Sequence, residues 1–322
     1  MNQKKETLKE RNTLSNRVIK VPAQMMKKMK DYYKDDIQEK TPPGGLFLAR
    51  LEGCTITAYR SGKVMFQGRN CNTELLKWEK DAEVMTNKKR TAGNHLPPQI
   101  SQLSIIGSDE VGTGDYFGPI TVVASYVKKE QIPTLTTLGV KDSKHLSDTQ
   151  IIQLAKTLIT TLPYSLLTLP NKKYNELQNK GMTQGKMKAL LHNQALNHLL
   201  AKISPEKPEA ILVDQFVAAD TYFKYLQGQK KICKENVYFS TNGESVHLAV
   251  AASSIIARYA FLKAMDQLGR EAGIKLPKGA GHRVDKAAAT LIAQKGEAAL
   301  THFTKLHFAN TEKAKKIAFR SL

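Results

Sequence analysis

The stretch from Leu103 to Val127, LSIIGSDEVGTGDYFGPITVVASYV, constrains this chain more than any other. It joins two apolar runs of strand composition through Gly107, Gly112, Gly114 and Gly118, and it places two adjacent carboxylates, Asp109 and Glu110, where the first run ends. Glycines of this density let the backbone turn sharply and approach a neighbour or ligand closely. Two acids at the end of a buried strand are costly, because desolvation and mutual repulsion add together. They persist only beside a cation or strong donors, and a divalent metal ion meets that need. Successive side chains of a regular strand point to opposite faces, so the pair is expected to share one site only through a bulge or turn at this point.

A chain of 322 residues with 41% hydrophobic content has room for one large domain or two ordinary ones. No uninterrupted apolar run reaches the roughly 18 residues of a membrane helix. The N-terminus, MNQKKETLKERN, lacks the apolar segment of a signal peptide. These features predict a soluble, cytoplasmic protein with no membrane role. Cys54, Cys71 and Cys233 form no metal-binding CxxC pattern and leave an odd thiol, which suits a reducing compartment. The net charge of +20 favours polyanionic partners, nucleic acid first among them. Residues 1–95 are the densest in positive charge, with 20 Lys and Arg against 11 Asp and Glu.

Along the chain, Arg17 to Val21 reads as a strand, followed by one amphipathic helix carrying Met25, Met26, Met29, Tyr32, Tyr33 and Ile37. Pro22 falls near the helix start. After the breaker TPPGG come three short alternating strands, 46–51, 54–59 and 63–67, with turns at Gly53 and at Ser61-Gly62. A closing helix is predicted over 75–85, around Trp78. The polar, basic and proline-bearing segment TNKKRTAGNHLPPQISQ marks a linker. The expected organisation is a small α+β unit at 1–85, a linker at 86–102, and an α/β domain with a helical C-terminal tail at 103–322. Within that domain the pattern predicts helices at 148–160, 172–180, 186–201, 248–268, 285–294 and 311–319. Strands are predicted at 162–169, 210–214 and 237–240, and Ser147 is the N-cap of the first helix.

Three elements of the second domain carry acids at apolar ends. Asp109 and Glu110 follow one strand, Asp214 ends another, and Glu244 precedes the long apolar helix. Any one of them alone is more simply a cap or turn residue. Together they point to carboxylates converging from neighbouring strand ends on a hard cation, Mg²⁺ or Mn²⁺. Two such ions roughly 4 Å apart suit phosphodiester hydrolysis, and with the basic charge this predicts a nuclease. Serine or cysteine hydrolase chemistry lacks support, since there is no G-x-S-x-G motif and Cys233 sits in KKICKEN. Gly112-x-Gly114 has no Walker lysine after it.

These residues resemble the type 2 ribonucleases H. The matching motifs are Ser108 to Gly114 with Phe117-Gly-Pro119, Val140 to Lys144 with Leu146-Ser147, Leu212-Val-Asp214, Gly243-Glu244-Ser245, and Ala249 to Arg258. Within that group the chain is similar to the ribonuclease HIII branch, because its fourth acid is Glu244 rather than aspartate and a TATA-binding-protein-like unit precedes the catalytic part. The resemblance implies a ribonuclease H-like mixed sheet flanked by helices. It also implies endonucleolytic hydrolysis of the RNA strand of RNA/DNA hybrids, leaving 5′-phosphate and 3′-hydroxyl ends, by a monomer using two Mg²⁺ or Mn²⁺ ions. Asp109, Glu110, Asp214 and Glu244 are then the metal ligands, with Asp109 bridging both ions, Glu110 and Asp214 holding one each, and Glu244 positioning the second ion or the water. Gly112, Thr113 and Gly114 would approach the RNA 2′-hydroxyls, and Lys141 and Lys144 would contact phosphates. Arg50, Arg60, Lys63 and Arg69 of the first unit would neutralise further phosphates. Thr113 stands where ribonuclease HII has an arginine, which predicts a preference for ribonucleotide tracts over single embedded ribonucleotides. Specificity of the ribonuclease HII kind and a non-catalytic hybrid-binding protein are the alternatives.

Overall fold

The computed structural model describes residues 15–42, 44–68, 70–78, 96–140 and 143–320. The chain divides into two compact units, Met1–Thr91 and Ala92–Leu322.

In the first unit, β1 (Ser15–Lys20), α1 (Ala23–Tyr32), β2 (Gly45–Leu51), β3 (Cys54–Tyr59), β4 (Lys63–Gly68) and α2 (Cys71–Leu76) follow one another. The strands form an antiparallel sheet in the order β1-β4-β3-β2. Pro22 occupies the N-cap of α1, where its missing N–H costs nothing. Met25, Met26 and Met29 of α1 pack with Cys71 and Leu75 of α2 onto Ile19, Phe47, Ala49, Ile56, Ala58, Val64 and Phe66, one face of the sheet. Ile37 lies beyond α1 and bridges Ala49, so the first helix is shorter than its apolar rhythm predicts. The closing helix starts earlier than expected, at Cys71. Trp78 lies just past its end and donates from its indole N–H to the Tyr33 hydroxyl at 2.7 Å, while the rest of the predicted helix falls outside the described residues. On the other face of the sheet a cross-strand row of Leu48, Thr57, Met65 and Val18 runs between Arg50 and Lys63, both exposed.

The second unit is built on a mixed sheet of β5 (Ile105–Val111), β6 (Ile120–Val127), β7 (Tyr164–Leu169), β8 (Ala210–Asp214) and β9 (Val237–Ser240), in the order β7-β6-β5-β8-β9. β5, β6 and β7 form an antiparallel meander, and β8 and β9 extend it in parallel to β5. Alternation along β5 sends Ile105 into one apolar layer and Ile106 into the other. Helices fill the connections and flanks: α3 (Ile132–Thr137), α4 (Asp148–Thr161), α5 (Asn171–Asn179), α6 (Gln184–Ile203), α7 (Ala219–Tyr225), α8 (Leu248–Ala272), α9 (His282–Lys295), α10 (Leu300–Phe303) and α11 (Asn310–Arg320). Ser147 caps α4 in a reciprocal box with Gln150, as its sequence predicts. The short helix α7 carries no strong sequence signal. It is held by Tyr222, buried against Phe216, Phe223 and Phe239.

Two helices cover opposite faces of the sheet. Leu196 and Leu199 of α6 pack with Ile106, Val122, Ala124 and Val213 on one side. The small-residue run Ala249 to Ala257 of α8 lies on the other, against Ile105, Val123, Val127 and Leu212. By length and composition α8 could cross a membrane, but it is the largely buried core helix of this unit. Its approach to the sheet is close: a Cβ at Gly107 would lie 2.2 Å from the Ala249 carbonyl carbon and from the Val250 nitrogen. Hydroxyls satisfy the polar backbone that this proximity buries. Ser253 donates to the Gly107 carbonyl and Ser125 to the Ala249 carbonyl, both at 2.9 Å.

The N-cap of α8 is His247, whose Nδ1 accepts from the Ala249 N–H at 2.9 Å while Nε2 lies 3.1 Å from the Leu103 carbonyl. A carbonyl only accepts, so Nε2 carries the proton and Nδ1 must stay bare, which is the neutral ring. Burial lowers the His247 pKa to about 4. The unfolded chain, with a histidine near 6.5, therefore binds more protons than the folded one between these values. This contribution to stability is complete above about pH 6.5 and is lost as pH falls towards 4, up to about 3 kcal/mol. Urea unfolding at pH 7.5 and pH 5 should show His247→Asn losing less stability than the wild type across that interval; equal losses would contradict the assignment.

Candidate active site

β5 runs through both acids to Val111 and pairs with β6 in unbroken register, including Asp109 opposite Val123 and Glu110 opposite Val122. The expected bulge is absent. Asp109 lies on the α8 face with Gly107, and Glu110 lies on the α6 face with Ser108, as a regular strand requires. They share a site for a different reason. The parallel pairing of β5 with β8 ends at Ser108–Val213, so beyond that point β5 keeps its bonds to β6 while its other edge is open. Asp109 and Glu110 flank that open edge from the two faces, and Asp214 ends the neighbouring strand beside it. The carboxyl ends of parallel strands are where α/β sheets hold their ligands.

Each acid has a distinct setting. Asp109 is buried; its carboxylate accepts from the Glu110 N–H at 2.7 Å and from the Ser254 hydroxyl on α8. Burial, then the charges of Glu110, Asp214 and Glu244, push its pKa well above the carboxylate range. Asp214 is raised as well, chiefly by burial and by Glu110, although the Gly243 N–H donates to its Oδ1 at 2.7 Å. Glu244 lies on the turn Gly243–Ser245 before α8, where it accepts from the Ser143 N–H at 2.6 Å. A hydroxyl pair at 2.9 Å, Ser143 with Ser254, links the surroundings of Glu244 to those of Asp109. Arg258 of α8 braces the segment of Ser143 before α4, donating to the Ser143 carbonyl at 2.6 Å and pairing with Asp148 at 2.7 Å. Glu110 behaves oppositely. Burial works against its charge, but the hydrogen bond and charge of His192, then of Lys188, hold its pKa below the usual value.

All four sequence-predicted carboxylates thus come to one end of the sheet, on β5, β8 and the turn before α8. Each rests on protein donors, and among the described residues no three His, Cys, Asp or Glu side chains already stand around a common point in a metal-ligating arrangement. The donor set still fits a hard divalent cation. It consists of carboxylate oxygens whose mutual repulsion raises Asp109 and Asp214, and a cation would relieve that repulsion.

In the glycine loop after β5, Gly112 is a requirement of the fold. It has φ +96°, and a Cβ there would meet the Pro119 carbonyl oxygen at 2.2 Å. Gly114 differs: among the described residues, its chain neighbours aside, nothing lies within 4 Å of such a Cβ, which leaves room for a ligand. Thr113 offers its carbonyl to Gln184 at 3.1 Å, tying the loop to the start of α6. Lys144 is exposed, with Nζ 4.0 Å from a Glu244 oxygen, at the rim of the acids. In the first unit Arg50, Arg60 and Lys63 are exposed. Lys141 and Arg69 fall outside the described residues.

Sequence reasoning missed Lys188 and His192, and it gave no role to Ser143, Ser254 or Arg258, although all three lie within the matching motifs. One signal was readable: His192 interrupts the apolar stripe of α6, four residues before Leu196 and seven before Leu199.

The sheet order, its two covering helices and the acids at the strand ends define a ribonuclease H-like hydrolytic nuclease. A family model described as Ribonuclease HII matches residues 106–311, and one described as a domain of unknown function, DUF3378, matches residues 16–91. The chain is 56% identical over 311 residues to the ribonuclease HIII of Bacillus licheniformis, covering 95% of this chain and 99% of that protein. It is 57% identical to the ribonuclease HIII of Bacillus velezensis over the same shares. The solved structure of Bst-RNase HIII in complex with Mn²⁺ aligns with a TM-score of 0.68 at 47% identity, over 95% of this chain and 100% of that one. The chain belongs to the ribonuclease HIII family.

Proposed function

We propose that this protein cleaves the RNA strand of RNA/DNA hybrids at the β5–β8 carboxylate site, leaving 5′-phosphate and 3′-hydroxyl ends. The observation that carries this reading is the burial of Asp109 among the charges of Glu110, Asp214 and Glu244, a repulsion that a cation would relieve. Asp109, Glu110, Asp214 and Glu244 would hold two Mg²⁺ or Mn²⁺ ions. Such ions activate the attacking water and stabilise the leaving oxygen. The Mn²⁺ complex of Bst-RNase HIII, 47% identical to this chain, supports the choice of metal.

Within this reading the residues of the chain have separate tasks. Ser254 and the Glu110 N–H orient Asp109, Gly243 orients Asp214, and the Ser143 N–H orients Glu244. The opening beside Gly114 admits a sugar edge to the backbone of Gly112, Thr113 and Gly114, where a 2′-hydroxyl distinguishes RNA from DNA. Lys144, and Lys141 with it, would contact phosphate. Arg50, Arg60, Lys63 and Arg69 would add affinity independent of base sequence, with Arg50 and Lys63 on one face of the first sheet. The organisation that follows is a substrate-binding unit at 1–85, a linker at 86–102 and a catalytic domain at 103–322, working as a monomer in the cytoplasm with no membrane partner. The net charge of +20 suits a nucleic-acid substrate.

Thr113 between the two glycines favours cleavage within ribonucleotide tracts. Measured side by side in Mg²⁺ and in Mn²⁺, a uniform hybrid should be cut at least about tenfold faster than a DNA duplex carrying one ribonucleotide, a difference of about 1.4 kcal/mol in barrier. Equal rates would overturn the tract preference, and no cleavage of either would overturn the activity.

A further inference from the structure

Among the described residues, Glu110 is the one of the four acids with both oxygens taken by side chains of a single helix, an ammonium and an imidazole. Lys188 and His192 are four residues apart on α6 and so share a face. Lys188 Nζ is 2.7 Å from Oε1 of Glu110, and His192 Nε2 is 2.9 Å from Oε2. The three side chains are 12%, 0% and 9% exposed. Their geometry is locked from behind. Ser108 donates its hydroxyl proton to the Val123 carbonyl at 2.9 Å, so at 2.7 Å it accepts from His192 Nδ1, which turns Nε2 towards Glu110. Phe216, two residues after Asp214, stacks on the His192 ring with centroids 5.3 Å apart, and its ring centre lies 4.1 Å from Lys188 Nζ. The ammonium is thus confined between a carboxylate and an aromatic face, with little freedom to swing into solvent.

From this geometry we propose that Lys188 is a positioning residue that competes with a divalent cation for Glu110. The inference rests on the reading of the four carboxylates as cation ligands. A carboxylate oxygen already paired with a buried ammonium is a poorer ligand, and the ammonium repels a second cation a few ångströms away. Lys188 therefore weakens cation binding on the α6 side of the site, leaving the Asp109 and Asp214 side the tighter one. Phosphate oxygens of a bound substrate would supply further ligands to such an ion and so favour its taking Glu110 from Lys188. His192, fixed by Ser108, keeps the carboxylate in place through that exchange.

The full-length protein and its Lys188→Gln, Lys188→Met and Lys188→Arg variants can be titrated with Mn²⁺, with free ion followed by electron paramagnetic resonance and melting by circular dichroism. Either neutral variant that folds should bind the weaker ion about tenfold or more tightly than the wild type. It should also melt lower without Mn²⁺ and gain more from added Mn²⁺. Lys188→Arg, which keeps the charge, should stay close to the wild type. Mn²⁺ affinity that is unchanged or weaker in the neutral variants, with the wild type binding normally, would overturn the competition alone. Failure of every form to bind Mn²⁺ would overturn the carboxylate-site reading and this inference with it. A purely structural role for Lys188 predicts lower melting but no tighter binding, which also counts against the proposal.

Discussion

Asp109→Asn is expected to lower hybrid cleavage by at least about 10³-fold, some 4 kcal/mol of barrier, while binding of the hybrid changes little. The same substitution should raise the melting temperature. Asp109 is buried, and burial together with the charges of Glu110, Asp214 and Glu244 pushes its pKa well above the carboxylate range. A charge held where its neighbours repel it is a cost to the fold, and an amide of the same shape removes that cost. The Glu110 N–H can still donate to the amide oxygen, as it does to Oδ1 of Asp109. Loss of activity with gained stability is the signature of a site strained for function. Retained activity would remove Asp109 from the mechanism, and lost activity with lost stability would show that the substitution had only damaged the fold. Rates, hybrid affinity and melting curves measured on one preparation separate these outcomes.

Gly107→Ala should cost the fold about 3 kcal/mol or more, because overpacking against backbone leaves nothing flexible to yield. The added methyl would lie 2.2 Å from the backbone of Ala249 and Val250, so α8 and β5 would have to part. For a unit of this size that loss is a fall of roughly 10 °C in melting temperature. Activity should fall with it even below the transition, since α8 starts at Leu248, shortly after Glu244, and Ser254, the partner of Asp109, lies between one and two turns further on. A melting temperature within about 2 °C of the wild type would show that the helix can retreat from the sheet at small cost. For stability alone, Gly114→Ala is the natural control, because a Cβ there meets nothing within 4 Å among the described residues beyond its chain neighbours.

Both substitutions separate what local sequence encodes from what packing adds. The alternating apolar residues of β2, β3 and β4, the run AILVD of β8, the cap Ser147 and the apolar length of α8 were all legible, because strand and helix periods and caps are local properties. The four acids were legible as a set, since each ends or adjoins an apolar run. Their manner of meeting was not. A bulge between Asp109 and Glu110 was the local solution, and it is the wrong one: β5 stays regular, and it is the early end of its pairing with β8 that opens an edge between two faces. Strand neighbours are set by long-range pairing, which no local pattern reports.

What the sequence by itself determined is the list of parts: two compositional halves, an apolar framework of strands and helices, the acids and the basic charge. The tertiary structure alone decided that Asp109 faces α8 and Ser254 whereas Glu110 faces α6, Lys188 and His192. The physical reason is the two-residue period of a strand, which divides adjacent acids between two layers, and the layers themselves are chosen by helices that begin at Gln184 and Leu248, far along the chain. One carboxylate is thereby raised and the other lowered, although they are neighbours in sequence.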